Sequence, residues 1–207
     1  MNNQRCIIHR EIQCDIGHRV PDHGSKCRNP HGHRYRVIAT CEGPVMDQKG
    51  NEENGMVVDF GNLKKYMMDV IDSVFDHGFV VYKGDKAMMD MFFPPEHTSI
   101  EDITSNFKIA WQEELDLYLY NVKNCLETKP LYLYRTSKSE QDPDGMKVII
   151  VDYVPTAENL AKHFYEMLAP IIAAHYGDDT IRLINIRLYE TPNGFVDYGI
   201  GGFSSTL

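Results

Sequence analysis

Residues 27 to 35 read CRNPHGHRY: a cysteine, three intervening residues, then two histidines parted by one glycine, where a strand is about to begin. An HxH pair on a strand puts both imidazoles on one face, because side chains alternate. A third histidine, His18, stands upstream. Spare imidazoles in a polar loop do no chemistry. Three that converge do, since each buried ring has nitrogens that need partners and one divalent ion satisfies them all. Three histidines with an open fourth position are the usual layout of catalytic zinc, which polarises a water or substrate held there. Cys27 lies between Lys26 and Arg28. Positive charge lowers a thiol pKa and raises its thiolate fraction, which suits a general base or nucleophile. The same sulfur could instead be a fourth ligand, closing a structural site.

Two further groups invite attention. Asp76 and His77 are adjacent, and an Asp that accepts a hydrogen bond from an imidazole holds its tautomer and raises its basicity. Glu190 ends an otherwise apolar strand face. A carboxylate buried there needs strong donors, which a ligand with two neighbouring N–H groups supplies; otherwise the strand has surfaced by that point.

These side chains need elements to position them. Cys6, Ile8, Ile12, Cys14, Ile16 and His18 share one alternating face, with Arg10 its only charge, against Arg5, His9, Glu11, Gln13 and Asp15 on the other. This predicts a half-buried strand. His33, Tyr35, Val37, Ala39 and Cys41 alternate with Arg34, Arg36, Thr40 and Glu42 in a second. Paired as an antiparallel hairpin, the two bring His18 to His33, with His31 two residues earlier on the same side. Cys6, Cys14 and Cys41 read as core filler.

Leu63, Tyr66, Met67, Val70, Ile71, Val74 and Phe75 form the apolar stripe of a helix. A second helix begins near PTAENL, with Thr156 as N-cap and Glu158 in its first turn, and Pro170 should kink or split it. Ile184, Ile186, Leu188 and Glu190 then share a strand face, TPNG turns, and Phe195 to Ile200 form a last strand. Residues 83–147 read as an insertion with one helix carrying Phe107, Trp111, Leu115, Tyr118 and Val122. The 207 residues thus suggest one domain with an insertion.

A net charge of −9 argues against nucleic acid as a partner, although Arg19, Lys26, Arg28, Arg34 and Arg36 make a local basic island that a small anion could use. No apolar run is long enough to span a bilayer, and the first residues do not read as a signal peptide, so a cytoplasmic location is expected. Five scattered cysteines suit reduced thiols.

In chain order, His18, Cys27-Arg-Asn-Pro-His31-Gly-His33, Gly55-Met-Val-Val-Asp59-Phe60, Asp76-His77, Pro155-Thr156-Ala157-Glu158-Asn159 and Tyr189-Glu190-Thr191 resemble the motifs of the 6-pyruvoyltetrahydropterin synthase family. The three-residue gap from Cys27 to His31 is similar to that of its bacterial, 6-carboxytetrahydropterin-forming branch in queuosine and 7-deazaguanine biosynthesis. The resemblance spans residues 5–82 and 147–201. It implies an α+β tunnelling fold, an antiparallel four-stranded sheet with two helices on one face, in a homo-oligomer with active sites at subunit contacts. It further implies zinc on His18, His31 and His33, Cys27 as proton-abstracting base, Asp76 and His77 as a second relay, and Glu190 gripping the pterin edge. The implied substrate is 7,8-dihydroneopterin triphosphate, converted to 6-carboxytetrahydropterin, acetaldehyde and triphosphate. The alternatives are a pyruvoyl-forming synthase that releases only triphosphate, or a non-catalytic protein with zinc as a staple.

Overall fold

A computed structural model describes residues 5–92, 147–177 and 180–199, and the backbone of 132–135. Strands β1 (Arg5–His18) and β2 (His31–Pro44) form the predicted hairpin, in unbroken register from Arg5↔Pro44 to His18↔His31. Regular alternation then decides which side chains share a face. Ile12, Cys14, Ile16, Tyr35, Val37, Ala39 and Cys41 are buried on one side. Asp15, Arg34, Glu11 and Arg36 pair as ions on the other. Strand β6 (Arg182–Thr191) pairs antiparallel with β2, and β7 (Gly194–Tyr198) with β6. A register shift at Thr40/Cys41 makes Ile184 the unpaired residue of a bulge, so Leu183, Ile186 and Leu188 face inward and Ile184 does not belong to that row.

These four antiparallel strands match the expected sheet, but the sheet is larger. It has seven strands among the described residues, in the order β4-β5-β3-β1-β2-β6-β7. The short β3 (Gly78–Tyr82) touches β1 in parallel only at Ile16↔Gly78 and Gly17↔Phe79. Strand β5 (Lys147–Val151) runs parallel to β3, and β4 (Tyr132–Arg135) antiparallel to β5. GFVVY and KVIIV do not alternate in polarity because both of their faces are covered. Val80, Ile149 and Val151 join the main core, whereas Val81, Val148 and Ile150 form a second small core with Met88 and Met89. Those methionines lie on α3 (Lys86–Phe92). Thus the expected insertion at 83–147 holds α3, β4 and the start of β5. Its expected helix through Trp111 lies outside the described residues.

The first predicted helix is α1 (Phe60–Met67), a π-helical stretch (Met68–Asp72) and α2 (Ser73–Phe75). Asp59 caps it, accepting from the Gly61 and Asn62 amides. The last helix, α4 (Ala157–Tyr176), has Thr156 as N-cap, and Glu158 favours its positive end. It is not split at Pro170. Pro170 lacks one helical donor, but Met167, Leu168, Ile171 and Ile172 on either side of it are buried, and burial at about 1.5–3 kcal/mol per large side chain outweighs one lost hydrogen bond. Both helices share one core with the inner faces of β1, β2 and β6. The buried Glu53 ties their ends together: it accepts from the Asp59 amide (2.9 Å), Asn62 Nδ2 (3.0 Å) and Tyr176 Oη (2.8 Å). Among the described residues no helix is long and apolar enough to cross a membrane.

Candidate metal centre and active site

At the closed end of the hairpin, the register sets His18 opposite His31, and His33 opposite Ile16. All three imidazoles project to the core side, whose other occupants are mostly apolar. Their ring centroids are 4.6 Å (His18–His31), 5.4 Å (His18–His33) and 4.9 Å (His31–His33) apart. One nitrogen from each lies within 4.8 Å of the others, which is the spacing of a group able to hold a metal ion. His18 is 1% exposed, and the other two are more open.

Backbone carbonyls orient two of these rings. His18 Nδ1 donates to the carbonyl of Pro155 at 2.6 Å, and His31 Nδ1 to that of Asn29 at 2.8 Å. Each carbonyl takes a proton from Nδ1, so each Nε2 keeps its lone pair for the cluster. Burial holds His18 and His33 below the ordinary imidazole pKa; neighbouring His31 adds to this, while Glu190 opposes it, as does the Pro155 carbonyl for His18. His18 and His33 are thus neutral near pH 7. Clustered imidazoles with lone pairs turned toward one another are the donor set that zinc takes, so these residues fit that ion. The Cys27 thiol is not among the grouped ligand atoms.

Two acidic groups complete this face. Tyr35, fully buried beneath the cluster, has its Oη 3.2 Å from His18 Nε2 and donates to Glu190 Oε1 at 3.2 Å. Burial, together with the Glu190 charge, pushes its phenol far above the usual range, so it stays a donor. Glu190 Oε1 is 3.6 Å from His18 Nε2, and its side chain is 32% exposed. The strand has therefore half surfaced at Glu190, and one edge of the carboxylate faces the histidines while the other is open to a ligand. Cys27 sits half-buried on a one-turn 3-10 helix (Lys26–Arg28), within electrostatic reach of Tyr35.

Asp76 and His77 are placed differently. They do touch: His77 Nδ1 lies 2.5 Å from Asp76 Oδ2. The His77 amide donates to the Asp15 carbonyl, and Asp76 Oδ1 accepts from the Asp15 amide, both at 2.8 Å. His77 has φ 56°, the one non-glycine residue with positive φ among those described. Such a backbone is unfavourable for a side chain and is held here by the two bonds to Asp15. The ring is 77% exposed and lines an open depression with Asp15, Gly17, Gly32, His33 and Arg34. By alternation, Asp15 and Arg34 lie on the face opposite the three histidines. A single chain therefore gathers His18, His31, His33 and Glu190, sets Cys27 within electrostatic reach of Tyr35 beneath them, and ties Asp76 and His77 to Asp15.

Sequence reasoning missed Tyr35, Pro155 and Asn29. Tyr35 was readable, since it continues the His33 alternation into the core. The carbonyls of Pro155 and Asn29 carry no signal in residue type. The basic island is mostly paired: Arg34 with Asp15, Arg36 with Glu11 and Arg19 with Asp85, leaving Lys26 and Arg28 exposed.

A family model described as 6-pyruvoyl tetrahydropterin synthase matches residues 7–200. A Rickettsia bellii protein named 6-carboxy-5,6,7,8-tetrahydropterin synthase is 29% identical over 188 residues, 91% of this chain and 96% of its own. A Haemophilus influenzae protein of the same name is 24% identical, over 92% and 96% of the two chains. Among solved structures, an uncharacterized Wolinella succinogenes protein aligns with TM-score 0.58 at 20% identity, covering 96% of this chain and 99% of the other. A 6-pyruvoyl tetrahydropterin synthase from Plasmodium vivax aligns with TM-score 0.52 at 13% identity, covering 95% and 99%. At such identities the structures show a shared fold.

Proposed function

From the premise that this chain belongs to the 6-pyruvoyl tetrahydropterin synthase family, we propose that it is a zinc-dependent lyase of the 6-carboxytetrahydropterin-forming kind. The substrate is 7,8-dihydroneopterin triphosphate, and the products are 6-carboxy-5,6,7,8-tetrahydropterin, acetaldehyde and triphosphate. The relatives that cover most of this chain bear that product's name. The observation that carries the proposal is the cluster of three imidazoles with Glu190 3.6 Å from one of them.

His18, His31 and His33 would hold the zinc, which when bound would supply Lewis-acid polarisation of the substrate's side-chain oxygens. Glu190 accepts the two neighbouring N–H donors of the pterin's amino-pyrimidinone edge, and the Tyr35 hydroxyl fixes its other side. Cys27 takes a proton from the side chain carbon once that C–H is acidified. Asp76 fixes the tautomer of His77, which passes protons to and from the substrate. Because that pair projects from the opposite face, it serves a pocket shared with a second copy, in a homo-oligomer. The cleavage consumes one water: after triphosphate leaves, the substrate's side chain keeps two oxygens, whereas the carboxylate and acetaldehyde together need three. Such a product would feed 7-deazaguanine synthesis.

The test is product mass after incubation of the zinc-loaded protein with 7,8-dihydroneopterin triphosphate under argon. A carboxy-pterin with acetaldehyde is expected. A pyruvoyl product without acetaldehyde would replace the proposal with the pyruvoyl-forming reaction, and no turnover at all would leave a zinc-stapled binding protein.

A further inference from the structure

Arg19 directly follows the ligand candidate His18, yet its charge is turned inward. Its Nε donates to Asp85 Oδ2, and its Nη2 to Asp85 Oδ1 at 2.7 Å, a two-pronged pair. The Asp85 side chain is 3% exposed. A buried carboxylate is tolerated only with such a partner, and removing either member leaves an uncompensated charge. Asp85 lies between β3 and α3, and its Oδ1 also accepts from the Met88 amide at 3.3 Å. The third prong points elsewhere: Arg19 Nη1 donates to the Arg28 carbonyl at 3.3 Å. Next in the chain, the Val20 amide donates to the Cys27 carbonyl at 2.8 Å.

The turn that carries Cys27 is therefore suspended from Arg19 and Val20, and Arg19 is itself fixed by a carboxylate belonging to a different part of the sheet. Only a guanidinium can do this, because its planar fork grips the carboxylate with two donors and still has another to spare. We infer that Arg19 and Asp85 are positioning residues that hold the Cys27 thiol in register with the metal ligands, linking the root of α3 to the reacting group. This rests on the role proposed for Cys27 above.

The experiment compares full-length, zinc-loaded Asp85→Asn, Arg19→Lys and Met88→Ala with the unaltered protein. Met88 is buried in the small second core beside the latch and serves as the packing control. Both latch variants are expected to lose about tenfold to a hundredfold in kcat, as misplacing a reacting group by an ångström does, with zinc content and KM within about twofold of the parent. Met88→Ala should lower Tm and leave kcat in place. A second readout is the rate of Cys27 alkylation by iodoacetamide, followed by peptide mass, which should rise in the latch variants alone. Unchanged kcat and alkylation in the latch variants would overturn the inference, as would losses in all three variants that simply follow Tm. Should Asp85→Asn fail to fold, Arg19→Lys, which keeps the charge, decides the matter. A parent protein that turns over no pterin triphosphate would defeat the lyase assignment instead, and the alkylation rates would still test the latch.

Discussion

The two faces of the β1–β2 hairpin end solve opposite electrostatic problems with the same backbone. On the core side, His18, His31 and His33 lie at the end of an apolar face, and burial keeps His18 and His33 neutral. On the other side, the Asp15–Arg34 ion pair and the Asp76–His77 contact are solvent-accessible. A face that is to hold a cation must exclude protons from its ligands, and desolvation does that without a dedicated residue. A face that is to move protons needs water access and a fixed tautomer, and the Asp76–His77 contact at 2.5 Å supplies the second. The two-residue period sets the three histidines on one face, and the path from α2 into β3 brings Asp76 and His77 to Asp15 on the other.

The strongest way to break this contrast is His31→Ala. It should empty the core face of metal and lower turnover by about a thousandfold or more, because the Lewis-acid contribution of several kcal/mol goes with the ion. Metal analysis of the purified variant checks the first half, and retained metal would show that the cluster is not the ligand set. His77→Ala should act on the opposite face only: turnover falls by about a hundredfold to ten-thousandfold, the span of a lost general acid–base group, with metal content unchanged. Metal loss in that variant would mean that the faces are not independent.

Titration sharpens the comparison further. His18 and His33 have lowered pKa values when folded, so between the folded and unfolded values the unfolded chain binds more protons and stability rises with pH. The metal-free protein should therefore be at full stability above the unfolded imidazole value of about 6.5 and lose stability as pH falls through it. Melting of the metal-free chain from pH 7.5 to 5 measures this, and His18→Ala should flatten the slope. A slope of the opposite sign would mean that these rings are protonated in the folded state.

Strand parity explains what could be read in advance. His18, Ile16, Cys14, His33 and Tyr35 obey one period across an unbroken register, so the cluster follows from residue types alone. Thr156 and Glu158 announced α4 by capping chemistry. By contrast, β3 and β5 were invisible because strands covered on both faces lose the alternation that marks a strand. Ile184 misled because a bulge adds a residue without changing the sequence pattern. The opposite placement of His77 depends on how the chain leaves α2 and enters β3 along the edge of β1, a tertiary matter that no local pattern encodes. Arg19 looked like part of an anion-binding island, and its partner Asp85 was 66 residues away.

The smallest effect expected concerns the backbone that presents His77. Its φ of 56° lies in the left-handed region, where a β-carbon costs about 1–2 kcal/mol and glycine costs little. His77→Gly should therefore be more stable than His77→Ala by about 1 kcal/mol, even though glycine loses more backbone freedom on folding, because the local conformation is one that glycine already favours. Neither variant should change metal content, since the ring does not share a face with the ligands. Urea melts of the two metal-loaded variants measure the difference directly. If alanine proves equal or better, the left-handed turn relaxes in solution, and the two bonds to Asp15 do not hold His77 in the orientation that its proposed proton-transfer role requires.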